Sequence, residues 1–323
     1  MSVGYLMFMP LNKGINMRAL YILISALSLL GTVSAHAGVT RDQGDDPGYV
    51  PTGKGWGEHN PTQPGASKPT SSATVGSNGI SYHGGPIILG TTHTYFIWYG
   101  NWSGNSATSL LPAFADTIGG SPYYNINTTY YNGSGKKITN AVALSGQAFD
   151  MYSQGTALSD SSVATVVSNA INSGTLPKDA NGVYFVLTSA DVNETSGFCT
   201  QYCGWHTHGK LGRTDIKYAF VGNPDRCPSA CGAQTTSPNG NAGADGMVSI
   251  ISHELEESVT DPDLNAWYDG AGLENADKCA WKFGTTYTTS NGALANMNLA
   301  GIDYLIQENW VNASGGSCAL SYP

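Results

Sequence analysis

The residues best placed to do chemistry are His253, Glu254 and Glu257, which lie in a run from Asp245 to Pro262. The apolar spacing predicts a helix over 245–259. At 100° per residue, Met247, Val248, Ile250, Ile251, Leu255 and Val259 fall on one broad arc, and Pro262 forbids continuation. His253 and Glu257, four residues apart, share the edge of that arc. Glu254 falls within it, where a carboxylate needs a metal, a cation or a proton. Glu256 points the other way and reads as a solvated side chain. The pattern His-Glu-x-x-Glu is the zinc-hydrolase pattern His-Glu-x-x-His with its second histidine replaced by a carboxylate, a donor zinc also accepts. In that chemistry His253 and Glu257 hold the ion, and Glu254 is the catalytic general base acting on a water.

A catalytic zinc takes a third protein ligand, and residues 273–279 offer Glu274 and Asp277. The turn-rich segment 265–270 would bring them back to the helix, with Cys279 fixing the return through a disulfide. Calcium is the rival ion, because Glu257, Asp261, Asp263, Asp269, Glu274 and Asp277 supply the hard oxygens it prefers. A second histidine pair, His206 and His208, sits in a stretch that reads as a cysteine-bounded loop, and either imidazole could reach the same ion. The competing reading is a non-enzymatic extracellular or cell-wall protein whose acidic helix is structural or binds calcium. No phosphate loop and no nucleophile elbow appear.

These residues need a scaffold, and composition favours α+β with a central sheet flanked by helices. Glycine (41) and tyrosine (18) are abundant and charged residues make up only 11% of the chain, a balance that suits strands and turns. Strand-like runs fall at 79–89, 94–100, 183–188 and 216–222, and helical spacing at 106–118 and 161–171, the latter with Asp160 as N-cap. A net charge of −9 with 14 Lys and Arg excludes the basic footprint nucleic acid requires.

Residues 1–37 read as a signal peptide. Lys13 and Arg18 precede an apolar run that ends in Ala35-His36-Ala37. Residues 38–77, rich in Gly, Pro and Ser, read as a flexible leader, and 78–323 as one domain. Export implies a secreted, extracellular protein, in a cell wall or apoplast-like space or in a periplasm, with no membrane association after cleavage. Its partner would be a peptide or a cell-wall polymer. In an oxidising compartment Cys199, Cys203, Cys227, Cys231, Cys279 and Cys318 are disulfide candidates rather than a four-thiolate zinc site. Local closure would pair 199 with 203, 227 with 231, and 279 with 318.

Several ordered motifs resemble the EXORDIUM or phosphate-induced protein family. They are Tyr82-His83-Gly84-Gly85-Pro86 with Phe96-Ile97-Trp98-Tyr99-Gly100, residues 186–192 leading to Gly197-Phe198-Cys199 and Cys203-Gly204-Trp205-His206, Val221-Gly222-Asn223 with Cys227-Pro228 and Cys231, and Asp245-Gly246-Met247 leading to Val259-Thr260-Asp261-Pro262. The resemblance spans about residue 80 to Cys318. It implies an extracellular protein associated with growth and cell expansion in plants, of undefined molecular activity. The zincin-like His-Glu-x-x-Glu helix would be this chain's own version of that pattern.

Overall fold

The computed structural model describes Thr40–Arg41, residues 51–54 and residues 78–323. The signal-peptide reading of 1–37 lies outside these residues, as does most of 38–77.

Six strands form the main sheet: β1 (Thr40–Arg41), β2 (Thr92–Tyr99), β3 (Val142–Asp150), β4 (Gly182–Thr188), β5 (Gly204–Leu211) and β6 (Thr214–Val221). Their order is β3-β2-β4-β6-β5-β1. Strands β3, β2, β4 and β6 are parallel, while β5 turns back antiparallel on β6, and β1 pairs antiparallel with β5. Every residue of β4 is buried, as its nearly unbroken apolar run requires of a central strand covered on both faces.

Three longer helices cover the sheet: α1 (Ala107–Thr117), α2 (Asp160–Asn172) and α3 (Ala242–Thr260). The β2-α1-β3 and β3-α2-β4 crossovers travel in opposite directions along the sheet. Right-handed connection therefore sends α1 and α2 to opposite faces. Helix α1 packs on β3 and on α3, α3 lies along β5 and β6, and α2 packs on β2, β4 and β6. The result is the α+β architecture expected from composition.

Three strands of the main sheet escaped the sequence reading: β1, which falls in the stretch read as a flexible leader, β3 and β5. β3 is a half-exposed edge with little apolar alternation. β5 carries glycine, histidine, threonine and lysine, and passes for a loop until its pairing with β6 buries it. Conversely, 79–89 is not one strand. Only Ser81–Tyr82 pairs, with Trp267–Tyr268, after which Gly84, Gly85 and Pro86 lead the backbone onto other partners: Gly85 N donates to Asn265 O and Ile88 N to Val259 O. The N-cap of α2 is Ser159, whose hydroxyl accepts from Ser162 N at 3.2 Å, so Asp160 sits in the first turn. There it pairs with Lys54 at 2.7 Å.

At the end of the sheet where β2 and β4 begin, Asp179 ties three segments together. Its carboxylate lies 2.5 Å from His93 Nδ1 and accepts from Tyr95 Oη at 2.9 Å and from Asn181 N at 2.8 Å. Partial burial opposes ionisation, but these bonds outweigh it and hold the Asp179 carboxyl below its ordinary value. A depressed folded-state value stabilises the protein above the unfolded value near 4, and that stabilisation is lost as pH falls through the folded value. Asp179→Asn should therefore cost about 1–2 kcal/mol at pH 7. Urea midpoints taken from pH 7 to pH 3 should show the wild-type advantage shrinking only below about pH 4.

Candidate metal centre

Helix α3 starts firmly. Asn241 caps it, its side chain accepting from Ala244 N at 3.0 Å, and Asp245 binds Ser237 and Asn239. It ends at Asp261, whose N–H still reaches Glu257 O at 2.7 Å before Pro262 stops the turn. Between these points every side chain from Gly243 to Thr260 is buried. The expectation that Glu256 is solvated is therefore wrong. Its Oε2 accepts from Asn309 Nδ2 at 2.8 Å, because Tyr123, Tyr124, Tyr130 and the 309–311 strand cover the face left for water. Burial pushes the Glu256 carboxyl well up.

The chain returns to α3 through a pinned loop. Asp261 Oδ1 accepts from Asn265 N and Ala266 N at 2.6 Å each. Asp269 caps Ala271 N and Leu273 N and pairs with Lys278 Nζ at 2.8 Å. Asn275 Nδ2 donates to Glu256 O, and Asp277 N donates to Glu257 Oε1 at 3.0 Å. Cys279 closes the loop through its disulfide to Cys318.

These bonds gather two imidazoles and four carboxylates. His253 Nε2 lies 3.1 Å from Glu257 Oε1 and 3.5 Å from Asp277 Oδ1. His206 Nε2, from β5, lies 3.0 and 3.2 Å from the two oxygens of Glu274 and 3.6 Å from Glu257 Oε2. Both oxygens of Glu254 lack a hydrogen-bond partner although the residue is fully buried. Burial, reinforced by the charges of Glu257 and Asp277, pushes the Glu254 carboxyl well up. Glu274 is likewise raised, by burial first and then by its acidic neighbours. Among the described residues no lysine or arginine forms an ion pair with Glu254, Glu257, Glu274 or Asp277. A pocket walled by Ile250, Trp281, Phe283 and the Cys203–Cys231 disulfide reaches His253 and Glu254. The cluster thus gathers donor types that a divalent cation accepts, beside the buried, unpartnered carboxylate of Glu254.

The family model described as the phosphate-induced protein 1 conserved region matches residues 80–309. The chain belongs to that family. Protein EXORDIUM-like 3 of Arabidopsis thaliana is 33% identical to it over 72% of this chain and 80% of its own length. Protein EXORDIUM-like 5 of the same plant is 32% identical over 72% and 75%, and Protein PHOSPHATE-INDUCED 1 of Nicotiana tabacum 28% identical over 62% and 71%. No solved structure matches the chain significantly.

In this phosphate-induced family member, the sequence-derived residues His253, Glu254, Glu257, Glu274 and Asp277 do converge. Asp277 is the carboxylate that meets His253, and Glu274 sits against His206 instead. His206, offered by the sequence only as one of two alternatives, is the imidazole that enters the cluster. His208, two residues along β5, joins Asp215 at 3.1 Å and Asp263 at 3.6 Å, where Lys217 already supplies a cation. The period-2 alternation of a strand predicts a shared face for 206 and 208; their partners differ because they lie at successive positions along it. Of the oxygens proposed for calcium, those of Asp263 and Asp269 are engaged with lysines and Asp261 with backbone N–H groups. Burial outweighs those N–H bonds and pushes Asp261 up to about 8.

The cysteine pairing also needs correcting. Cys199 bonds Cys227 and Cys203 bonds Cys231, while Cys279 bonds Cys318 as expected. The β5-β6 hairpin sets Gly204 opposite Val221, which brings the two Cys-x3-Cys segments side by side and favours bridges between them over closure within each. All six thiols are oxidised, which removes the thiolate zinc alternative and marks maturation in an oxidising compartment.

Gly204 is where β5 meets α3. A Cβ there would fall 2.5 Å from Ile250 Cγ2, 2.8 Å from Glu254 Oε1 and 2.9 Å from Phe220 O. Gly204→Ala should therefore lower unfolding stability by about 1–3 kcal/mol through overpacking, read from the urea midpoint. An unchanged midpoint would refute the close approach.

Proposed function

We propose that this protein is a secreted, metal-dependent hydrolase of peptidase type. His253, Glu257 and Asp277 would hold the ion and Glu254 would act as general base. The observation that carries this reading is the spacing around His253 Nε2. Donors at 3.1 and 3.5 Å have the separation that ligands about 2 Å from one shared ion adopt. The charge argument agrees, since buried carboxylates without a paired lysine or arginine call for a cation. When bound, the ion supplies Lewis acidity and an acidified water. Glu254, buried and without a hydrogen-bond partner, would serve as the general base in this reading. The substrate class proposed is a peptide or a cell-wall polymer.

Zinc fits better than calcium. Zinc accepts imidazole nitrogen with carboxylate oxygen in a four-coordinate set, whereas calcium needs six to eight oxygens. A second reading is favoured by the burial of the cluster. Glu254, Glu257 and Glu274 are 0%, 0% and 1% exposed, as in a site where the ion braces the α3–loop junction of a non-enzymatic extracellular protein.

The two readings part at Glu254. The secreted protein, expressed with zinc present, should carry bound zinc by elemental analysis and release products from a mixed peptide library in a chelator-sensitive way. Glu254→Gln should keep its zinc and its fold but lose turnover by about 10²–10⁴-fold. Bound zinc with no turnover in the wild type selects the structural ion, and absence of any transition metal overturns the metal reading altogether.

A further inference from the structure

We infer that the centre holds two divalent ions, bridged by the two oxygens of Glu257; this deepens the metal-dependent reading above and rests on it. Two imidazoles approach Glu257 from different elements. His253, one turn earlier on α3, meets Oε1 at 3.1 Å, and His206 on β5 stands 3.6 Å from Oε2. Each has a carboxylate of its own, Asp277 at 3.5 Å from His253 and Glu274 at 3.0 Å from His206. The result is two sets of three donors, His253-Glu257-Asp277 and His206-Glu257-Glu274, with the atoms of each set within 4.8 Å of one another.

Among the described residues no set at that reach contains both imidazoles. Ligands of one zinc lie about 2.0–2.2 Å from it, so no two of them stand more than about 4 Å apart. One ion therefore cannot take both histidines as they are placed, and a second ion takes the second set. The syn oxygens of a bridging carboxylate suit the roughly 3.5–4 Å separation of two-metal sites.

Partners and charge agree with this count. Glu257 Oε2 on the His206 side and Asp277 Oδ1 on the His253 side are both buried and accept no hydrogen bond, so each half of the centre keeps an oxygen aimed inward. Glu254, Glu257, Glu274 and Asp277 carry four formal negative charges when ionised. One divalent ion offsets half of that charge, and two offset all of it.

The test is stoichiometry. The secreted protein is stripped with chelator, titrated with zinc chloride, and its bound zinc counted by calorimetry and elemental analysis. Two equivalents are expected for the wild type, falling to one in His206→Ala and in Glu274→Gln, and to none in Glu257→Ala. Cobalt substitution should give a spin-coupled electron paramagnetic resonance signal in the wild type that becomes uncoupled in His206→Ala. One equivalent in the wild type, whatever the variants do, overturns the two-ion centre and leaves the one-ion reading standing, with His206 and Glu274 as an outer pair. Zero equivalents overturn both.

Discussion

Burying the carboxylates of α3 is the constraint around which this molecule is arranged. A helix enclosed on all sides is ordinarily apolar all round, yet α3 carries Glu254, Glu256 and Glu257 at zero exposure, with His253 at 2%. Surrounding elements reach Glu256 and Glu257, while both oxygens of Glu254 are left without a hydrogen-bond partner. Asn309 comes from the C-terminal strands to Glu256, the amide of Asp277 from the returning loop to Glu257, and His206 from the sheet to Glu257 and Glu274. The Asp261 cap, the Asp269–Lys278 ion pair and the Cys279–Cys318 disulfide all fix that loop, on which Glu274 and Asp277 are carried.

The placement of the helix residues was legible because it depends on local spacing. His253 and Glu257 share a face by arithmetic, Pro262 sets the end, and the acidic run at 274–277 had nowhere better to go than back to the helix. What was not legible depended on partners remote in sequence. The arc that placed Glu256 in solvent assumes that a helix has a wet side. Here that side is closed by tyrosines more than a hundred residues earlier and by strands some fifty residues later. The reading of β5 as a loop had a wider cost. That strand gives Trp205 and Leu211 to the apolar core, but its polar positions carry His206 into the acidic cluster and His208 to Asp215. Once it is missed, His206 becomes one of two vague candidates, and the cysteines flanking it are paired with their nearest neighbours instead of across the hairpin.

The strand that presents His206 is not left as a bare edge. The N–H of His206 donates to Gly53 O at 3.1 Å, and β1 pairs with β5 at Lys210 and Gly209. Lys54 follows Gly53 and is held by Asp160 in the first turn of α2 and by Ser196, with the rings of Tyr202 and Trp205 5.2 and 5.3 Å away. A segment too poor in apolar residues to build a core thus contributes backbone hydrogen bonds and one well-anchored cation. Those contacts complete the hydrogen bonding of the strand at and beyond the peptide that carries the His206 imidazole.

The core of the fold and the acidic cluster are separable. Phe96 packs edge-to-face on Trp98 and on Phe185, and Phe220 packs edge-to-face on Phe198 and at a tilt on Trp205, and this packing uses no ionisable group. Replacing a buried ionic cluster by well-packed apolar residues is commonly neutral or stabilising, whereas leaving buried charge unpaired costs several kcal/mol. A helix selected only to cover this sheet would therefore carry leucine or methionine at 254 and 257. The carboxylates weaken α3 as a structural element unless a cation accompanies them, which is the physical ground on which the proposed ion rests.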